Sequence, residues 1–350
     1  MGTVEYGVKQ LTENCLGIQP FERVVLVYDQ ERTWLADEVT KALVERRATV
    51  EAFEMENYGD RPEILSQGQS ALKFPREIEE ALNKASVSIY FASSKVGEYA
   101  SFRKPMIGTI LPLTQARKLR HAHMPDLTKT IMEQGMNADY TDIERLNAQL
   151  MGIAPQARTG RVVTTAGTNY RVDFIPEKYH WYNCNGDLRS GSTVRFTNLP
   201  DGEVFGYALN ANGVVVVDGV LGDEFSRKYG DINDTPVSLE IKNSRVIIDS
   251  IRCTNPTLVA ELKEYMQRDE NANRVGEWAI GTNLALLDYP FSGELLQDEK
   301  YPGHHFAVGE PCSDETGAEW TSCVHLDMVL RNPTITLDQK VVMEAGRFLI

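Results

Sequence analysis

Several common signatures are missing from this 350-residue chain, and each absence removes a class of function. No apolar run approaches the ~20 residues that a membrane-spanning helix needs. The opening MGTVEYGVKQ has no basic-then-apolar secretory pattern, and Tyr6 stands where a myristoylation signal beginning Met1-Gly2 wants Ser or Thr. Cysteine is sparse: Cys15, Cys184, Cys253, Cys312 and Cys323 form no CxxC pair, which argues against a zinc ribbon or a disulfide framework. A reducing, cytoplasmic setting is the expectation that follows. Positive charge is short as well, with 36 Lys and Arg against 50 Asp and Glu and a formal net charge of −14. Such a field repels phosphate backbones, so neither nucleic acid nor an anionic membrane is expected as a partner. No GxGxxG or GxxxxGK follows the first apolar run, where Tyr28-Asp-Gln-Glu-Arg32 stands instead, and no GxSxG supports a serine hydrolase.

What remains is ordinary globular composition, 42% hydrophobic and 25% charged. A single core rarely grows past ~250–300 residues, so two lobes are expected. The first half alternates strand and helix patterns: strands at 23–28, 48–53 and 86–92, with helices at 33–46 and 75–85 between them. That rhythm predicts an α/β lobe with a parallel sheet. Two more helical segments fall in 127–150. After Gly152-Ile-Ala-Pro155 the texture becomes short β-rich runs, at 161–165, 170–174, 193–196, 214–217 and 244–249, separated by Gly/Asn/Asp turns and interrupted by one long helix at 255–268. The expected organisation is an N-terminal α/β domain, 1–155, followed by a β-rich metal-binding domain, 156–350.

The last fifty residues hold half of the six histidines. Val324 to Leu330 alternates with period two, so His325 and Asp327 share one strand face while Val324, Leu326 and Met328 share the other. The pair sits close enough to converge on one cation, although an isolated His-x-Asp is more often an exposed polar face. In Gly303-His304-His305-Phe306 one of the two histidines must face inward, as a ligand or as a structural histidine bonded to a carbonyl. Glu203 follows the turn Leu199-Pro-Asp-Gly202 at the start of an apolar strand, and Glu277 lies within Val275-Gly-Glu-Trp-Ala-Ile-Gly281. A buried carboxylate needs a partner, and for Glu277 a salt bridge to Arg274 would suffice. As a set, Glu203, Glu277, His305, His325 and Asp327 are the hard-to-borderline donors that two divalent cations use, with one carboxylate bridging. Such a centre makes hydroxide at neutral pH and polarises a carbonyl.

At these residues the sequence resembles the aminopeptidase T family of metallo-aminopeptidases. The matching runs are LPDGEVF (199–205), RVGEWAIGTN (274–283), EKYPGHHFAVG (299–309) and HLD (325–327), in the family's order, with GTNYRVDF (167–174) resembling the strand that opens the catalytic lobe. The resemblance implies a metal-dependent hydrolase that cleaves an amide at the free-amine end of a small peptide or amino-acid derivative. Its two divalent ions (Zn, Co or Mn) would be held by Glu203, Glu277, His305, His325 and Asp327, with Glu277 as the bridge and Glu277 and Glu203 as catalytic residues. A homodimer is likewise implied. The family's H-x-A-x-G context selects His305 over His304, and where its tyrosine is expected, seven residues after that histidine, Cys312 stands.

A second resemblance, of Cys323-Val-His-Leu-Asp-Met-Val-Leu-Arg-Asn332, is to 2,5-dihydroxypyridine 5,6-dioxygenase, a mononuclear Fe(II) ring-cleaving enzyme that shares this lobe. It implies one Fe(II) and a hydroxylated heteroaromatic substrate as the alternative, but it has histidine at the place of Glu277 and no counterparts of Glu203 and His305. Outside the set, the basic run Arg117 to His123 reads as a solvated loop, with recognition of a substrate carboxylate as the lesser option. The acidic loop Glu310 to Glu319 reads as a solvated connection, with a general base or an anchor for a substrate amine as the other possibility. His180, within Tyr179-His-Trp-Tyr182, reads as a satisfied member of an aromatic cluster.

Overall fold

The computed structural model describes residues 2–61, 72–95 and 97–350. The chain forms two compact units, Met1–Tyr140 with Gly186–Asp201, and Thr141–Asn185 with Gly202–Ile350. The segment 186–201 therefore returns to the first unit, which a single boundary near residue 155 does not describe.

The eighteen strands among the described residues are β1 (Arg23–Tyr28), β2 (Thr49–Glu54), β3 (Val87–Phe91), β4 (Arg120–His123), β5 (Thr159–Val163), β6 (Asn169–Asp173), β7 (Trp181–Cys184), β8 (Phe196–Asn198), β9 (Glu203–Gly206), β10 (Leu209–Val217), β11 (Val237–Lys242), β12 (Arg245–Val246), β13 (Val275–Gly281), β14 (Gly303–Gly309), β15 (His325–Leu330), β16 (Thr334–Leu337), β17 (Lys340–Glu344) and β18 (Arg347–Phe348). The first unit is built on a parallel sheet in the order β2-β1-β3-β4-β8. Two of its inner strands, β1 and β3, are near-continuous apolar runs, as a sheet covered on both faces requires. Helices Thr33–Glu45 and Arg76–Leu82 supply the crossovers, each burying one apolar stripe: Leu35, Ala36, Val39 and Leu43 on the first, Ile78, Ala81 and Leu82 on the second.

Two sequence expectations fail in this unit. The run 193–196, expected among the strands of the second lobe, leads into β8, which pairs parallel to β4 at the edge of the first sheet. Of the basic run, Arg117 and Lys118 are exposed in a turn, as a solvated loop would have them, but Arg120 to His123 form β4 and all four are buried. Its charge is absorbed locally: Arg120 pairs with Glu22 at 2.6 Å and donates to the Leu16 carbonyl, while His121 contacts the Ser88 hydroxyl through Nδ1 at 2.7 Å and His123 through Nε2 at 3.1 Å.

The second unit contains two antiparallel sheets, β12-β11-β10-β6-β5-β16-β17-β18 and β15-β14-β13-β9-β7. One apolar cluster lies between them, taking Val162, Tyr170 and Val172 from the larger sheet and Val204, Trp278, Ile280, Phe306, Val308, Leu326 and Met328 from the smaller. Because strand side chains alternate, committing these residues to the core commits their neighbours to the opposite face of the smaller sheet. Helix Pro256–Tyr265 closes the cluster with Leu258, Leu262 and Tyr265; Asn255 caps its start by accepting from the backbone N–H of Thr257 and Leu258. His180 is exposed rather than set in an aromatic cluster. No helix among the described residues is long and apolar enough to cross a membrane.

Candidate metal centre

Four adjacent strands of the smaller sheet present Glu203 (β9), Glu277 (β13), His305 (β14), and His325 with Asp327 (β15) on the face away from the core. The register lines them up: Glu277 is opposite Ala307, which is opposite Asp327, while His305 is opposite Ala279 and Glu203 opposite Gly281. Most cross-strand partners of these polar side chains are small, Ala279, Gly281 and Ala307, but Val329 lies opposite His305, and Phe205, opposite Ala279, packs with Cys184 beside them. The adjacent histidines separate as an extended strand requires. His304 turns into the core, its Nδ1 donating to the Ala279 carbonyl at 2.7 Å and its Nε2 meeting the Tyr170 hydroxyl. His305 turns to the carboxylates.

Glu277 occupies the middle. One carboxylate oxygen, Oε1, lies 3.3 Å from His305 Nε2, and the other, Oε2, lies 3.5 Å from His325 Nε2. Glu203 Oε2 is 3.2 Å from His305 Nε2, and Asp327 Oδ1 is 3.2 Å from His325 Nε2. Glu203, Glu277 and His305 bring one ligand atom each to within 4.8 Å of one another, and so do Glu277, Cys312 and His325. Arg274, the expected partner of Glu277, goes elsewhere: it donates to the Tyr207 hydroxyl at 3.0 Å and stacks on Trp320.

These acids are deeply buried, with Glu203 5%, Glu277 4% and Asp327 5% exposed. Burying three carboxylates so close together demands positive charge. Part of it comes from Lys300, a residue that the sequence analysis did not single out. Its Nζ lies 2.6 Å from Glu203 Oε1 and 2.9 Å from Glu299. Burial opposes ionisation of Glu203, but Lys300 and His305 outweigh it and hold this carboxyl well below its ordinary range. Glu299 goes the other way: burial pushes it up to about 8, Lys300 opposing and Asp327 and Glu203 reinforcing.

Burial also disfavours a charged imidazole, yet Glu203 and Glu277 push His305 up to about 10. Asp327 and Glu277 likewise override burial to raise His325 well above its ordinary value. Without a cation, the carboxylates thus draw protons onto the same nitrogens that a metal would take. Burial and the surrounding acids, Glu277 first among them, hold the Cys312 thiol protonated.

Three features fit a divalent cation. His325 Nδ1 donates to the Glu310 carbonyl at 2.8 Å, which fixes the tautomer and frees Nε2. Glu203 Oε2 is buried and, despite its proximity to His305, makes no aligned hydrogen bond. The donors are carboxylates and imidazoles, which suit borderline divalent ions. In the acidic loop, Glu310 is spent on the backbone N–H groups of Ser313 and Ser322, and Glu319 pairs with Lys178 at 2.8 Å. Glu315, exposed, is raised by partial desolvation and by the nearby acids Asp314, Glu277 and Glu310.

A parallel α/β unit followed by a two-sheet β unit, with carboxylates and imidazoles that could hold a metal gathered on one sheet face, defines the class of protein. Residues 153–348, over half of the chain, match the family model of the thermophilic metalloproteases (M29), and the chain belongs to that family. Membership places it among the metallopeptidases, whose chemistry implies a divalent metal and a peptide substrate. Two solved structures share the fold along nearly the whole length. Wild-type AmpT from Thermus thermophilus aligns with TM-score 0.67 at 16% identity, covering 99% of both chains. 2,5-Dihydroxypyridine dioxygenase from Pseudomonas putida KT2440 aligns with TM-score 0.67 at 16% identity, covering 99% of this chain and 96% of its own. A search of curated protein sequences found no significant match.

Proposed function

We propose that the protein is an aminopeptidase-type metallohydrolase. Glu203, Glu277, His305, His325 and Asp327 would hold two divalent cations, with Glu277 between them. The observation that carries this reading is the placement of Glu277, whose two oxygens face two different histidines, at 3.3 and 3.5 Å. Each of those histidines has a further carboxylate beside it, Glu203 for His305 and Asp327 for His325. When bound, such cations supply a nucleophile from water at neutral pH and polarise the scissile carbonyl.

The chain's own residues have separable tasks. Lys300 holds Oε1 of Glu203, so that Oε2 is the oxygen left for the centre. The Glu310 carbonyl holds the His325 ring in one orientation. Glu315, exposed on the loop beyond Cys312, would receive the free ammonium of a substrate.

The same convergence favours the hydrolase over the mononuclear Fe(II) dioxygenase that the second resemblance implies, which would need neither Glu203 nor His305. The test is metal content of untagged protein purified anaerobically, followed by assays on amino-acid amides and dipeptides. Two equivalents of zinc, cobalt or manganese with release of a free amino acid support the proposal. One equivalent of iron with O₂ consumption on hydroxylated pyridines overturns it.

A further inference from the structure

We propose that Cys312 is a metal ligand, completing with Glu277 and His325 a mixed sulfur, oxygen and nitrogen position for the second cation. This assignment rests on the two-cation reading above. It makes the two positions chemically unlike: Glu203, Glu277 and His305 offer only oxygen and nitrogen, whereas the position at His325 also offers a thiolate, which selects zinc or cobalt over manganese or magnesium.

The geometry carries the argument. Tetrahedral zinc, with Zn–S near ~2.3 Å and Zn–N and Zn–O near ~2.0 Å, sets its ligand atoms roughly 3.3–3.5 Å apart. Cys312 Sγ lies 3.7 Å from Glu277 Oε2, and that oxygen lies 3.5 Å from His325 Nε2. The sulfur–oxygen and oxygen–nitrogen edges are thus within a few tenths of an ångström of the ligand edges, and the sulfur and nitrogen fall within 4.8 Å of each other. The thiol does not stand alone, because it is gathered with Glu277 and His325, two donors that point to a cation without it. One loop also serves both flanking donors: Glu310 orients His325 through its carbonyl, and two residues later the chain turns left-handed at Cys312, φ 51°, before the short helix Ser313–Thr316. On binding, the S–H bond breaks, its proton leaves to solvent and the sulfur electron pair is donated to the cation, so no oxidant is required.

The test uses the full-length protein loaded with Co(II). Wild type is expected to take two equivalents and to show a sulfur-to-cobalt charge-transfer band in the near ultraviolet. In C312A that band should vanish and the weaker of the two affinities fall by about 10- to 100-fold, with the tighter one unchanged. Metal loading should slow alkylation of Cys312 by iodoacetamide at least tenfold, read by peptide mass mapping so that exposed Cys323 is scored separately. Two bound cobalt ions with no sulfur band, and alkylation unaffected by metal, would overturn the role of Cys312 and leave the two-cation reading intact. One bound cobalt, with or without the band, overturns the two-cation reading and with it the assignment of a second position. The wild-type spectrum and the alkylation rate decide the matter even if C312A does not fold.

Discussion

The substitution Glu277→Gln probes the centre most directly. It keeps the shape of the side chain, so β13 should stay packed against β9 and β14, while one negative charge and one of two equivalent donor oxygens are lost. Two unit charges about 4 Å apart interact by about 4 kcal/mol at an effective dielectric of about 20. Removing one partner of a buried, charge-paired set typically costs about 3–5 kcal/mol. At 1.36 kcal/mol per tenfold, that is a loss of about two to four orders of magnitude in cation affinity. Because the oxygens face His305 and His325 separately, both positions should weaken together, unlike in a variant of a flanking ligand. Isothermal titration of the metal-free variant with Zn²⁺, beside hydrolysis of a leucine amide, gives both readouts, and far-ultraviolet circular dichroism checks the fold. A folded E277Q protein that binds two cations with wild-type affinity and turns over normally would refute the bridging role.

Other predictions follow from the same geometry. Lys300→Met should leave Glu203 and Glu299 buried without their shared cation, lowering the stability of the metal-free protein by about 3–5 kcal/mol in urea titration, with partial recovery on adding metal. His304→Phe should cost about 1–3 kcal/mol for each partner left unsatisfied, Tyr170 and the Ala279 carbonyl, yet preserve metal stoichiometry, whereas His305→Gln should lose metal. Glu315→Gln should raise KM for substrates with a free amine several-fold and leave kcat within about twofold; equal loss for N-acylated substrates would remove its anchoring role. Burial lowers His121 to about 3, and it also lowers His123, both below the ordinary value near 6.5. Between those values the unfolded chain binds the extra protons, so stability rises with pH. The contribution is complete above about pH 6.5 and is lost below it at up to about 1.4 kcal/mol per pH unit per histidine. In urea unfolding between pH 7 and 5, where Glu299 contributes a slope of the opposite sign, His123→Phe should reduce the rise of stability with pH by one histidine's share.

The division into a parallel α/β lobe and an antiparallel β lobe was legible because it depends on local pattern: apolar runs alternating with amphipathic helices, then short runs between turns. Period two was enough to pair His325 with Asp327 on one face. Other features depend on contacts between residues distant in sequence. Lys300 lies inside a run that was read for its histidines, and its link to Glu203, 97 positions away, exists only once the loop before β14 lies over the start of β9. The charge of Arg120 to His123 suggested solvent, but Glu22 and Ser88 satisfy these groups inside the protein, and local composition does not reveal such partners. Strand β8 is three residues long and carries almost no pattern of its own.

That short strand bears on how the chain is made. The first unit's parallel sheet is completed by residues 196–198, which leave the ribosome only after β5, β6 and β7 of the other unit. Until then β4 is an unpaired edge in a nascent protein, with backbone groups exposed that the finished sheet hides. A fragment ending near residue 155 would keep that edge permanently, and is expected to self-associate rather than fold as a separate soluble piece. The lobe that looks independent in its composition is therefore finished late in synthesis, by a segment delivered from beyond its own end.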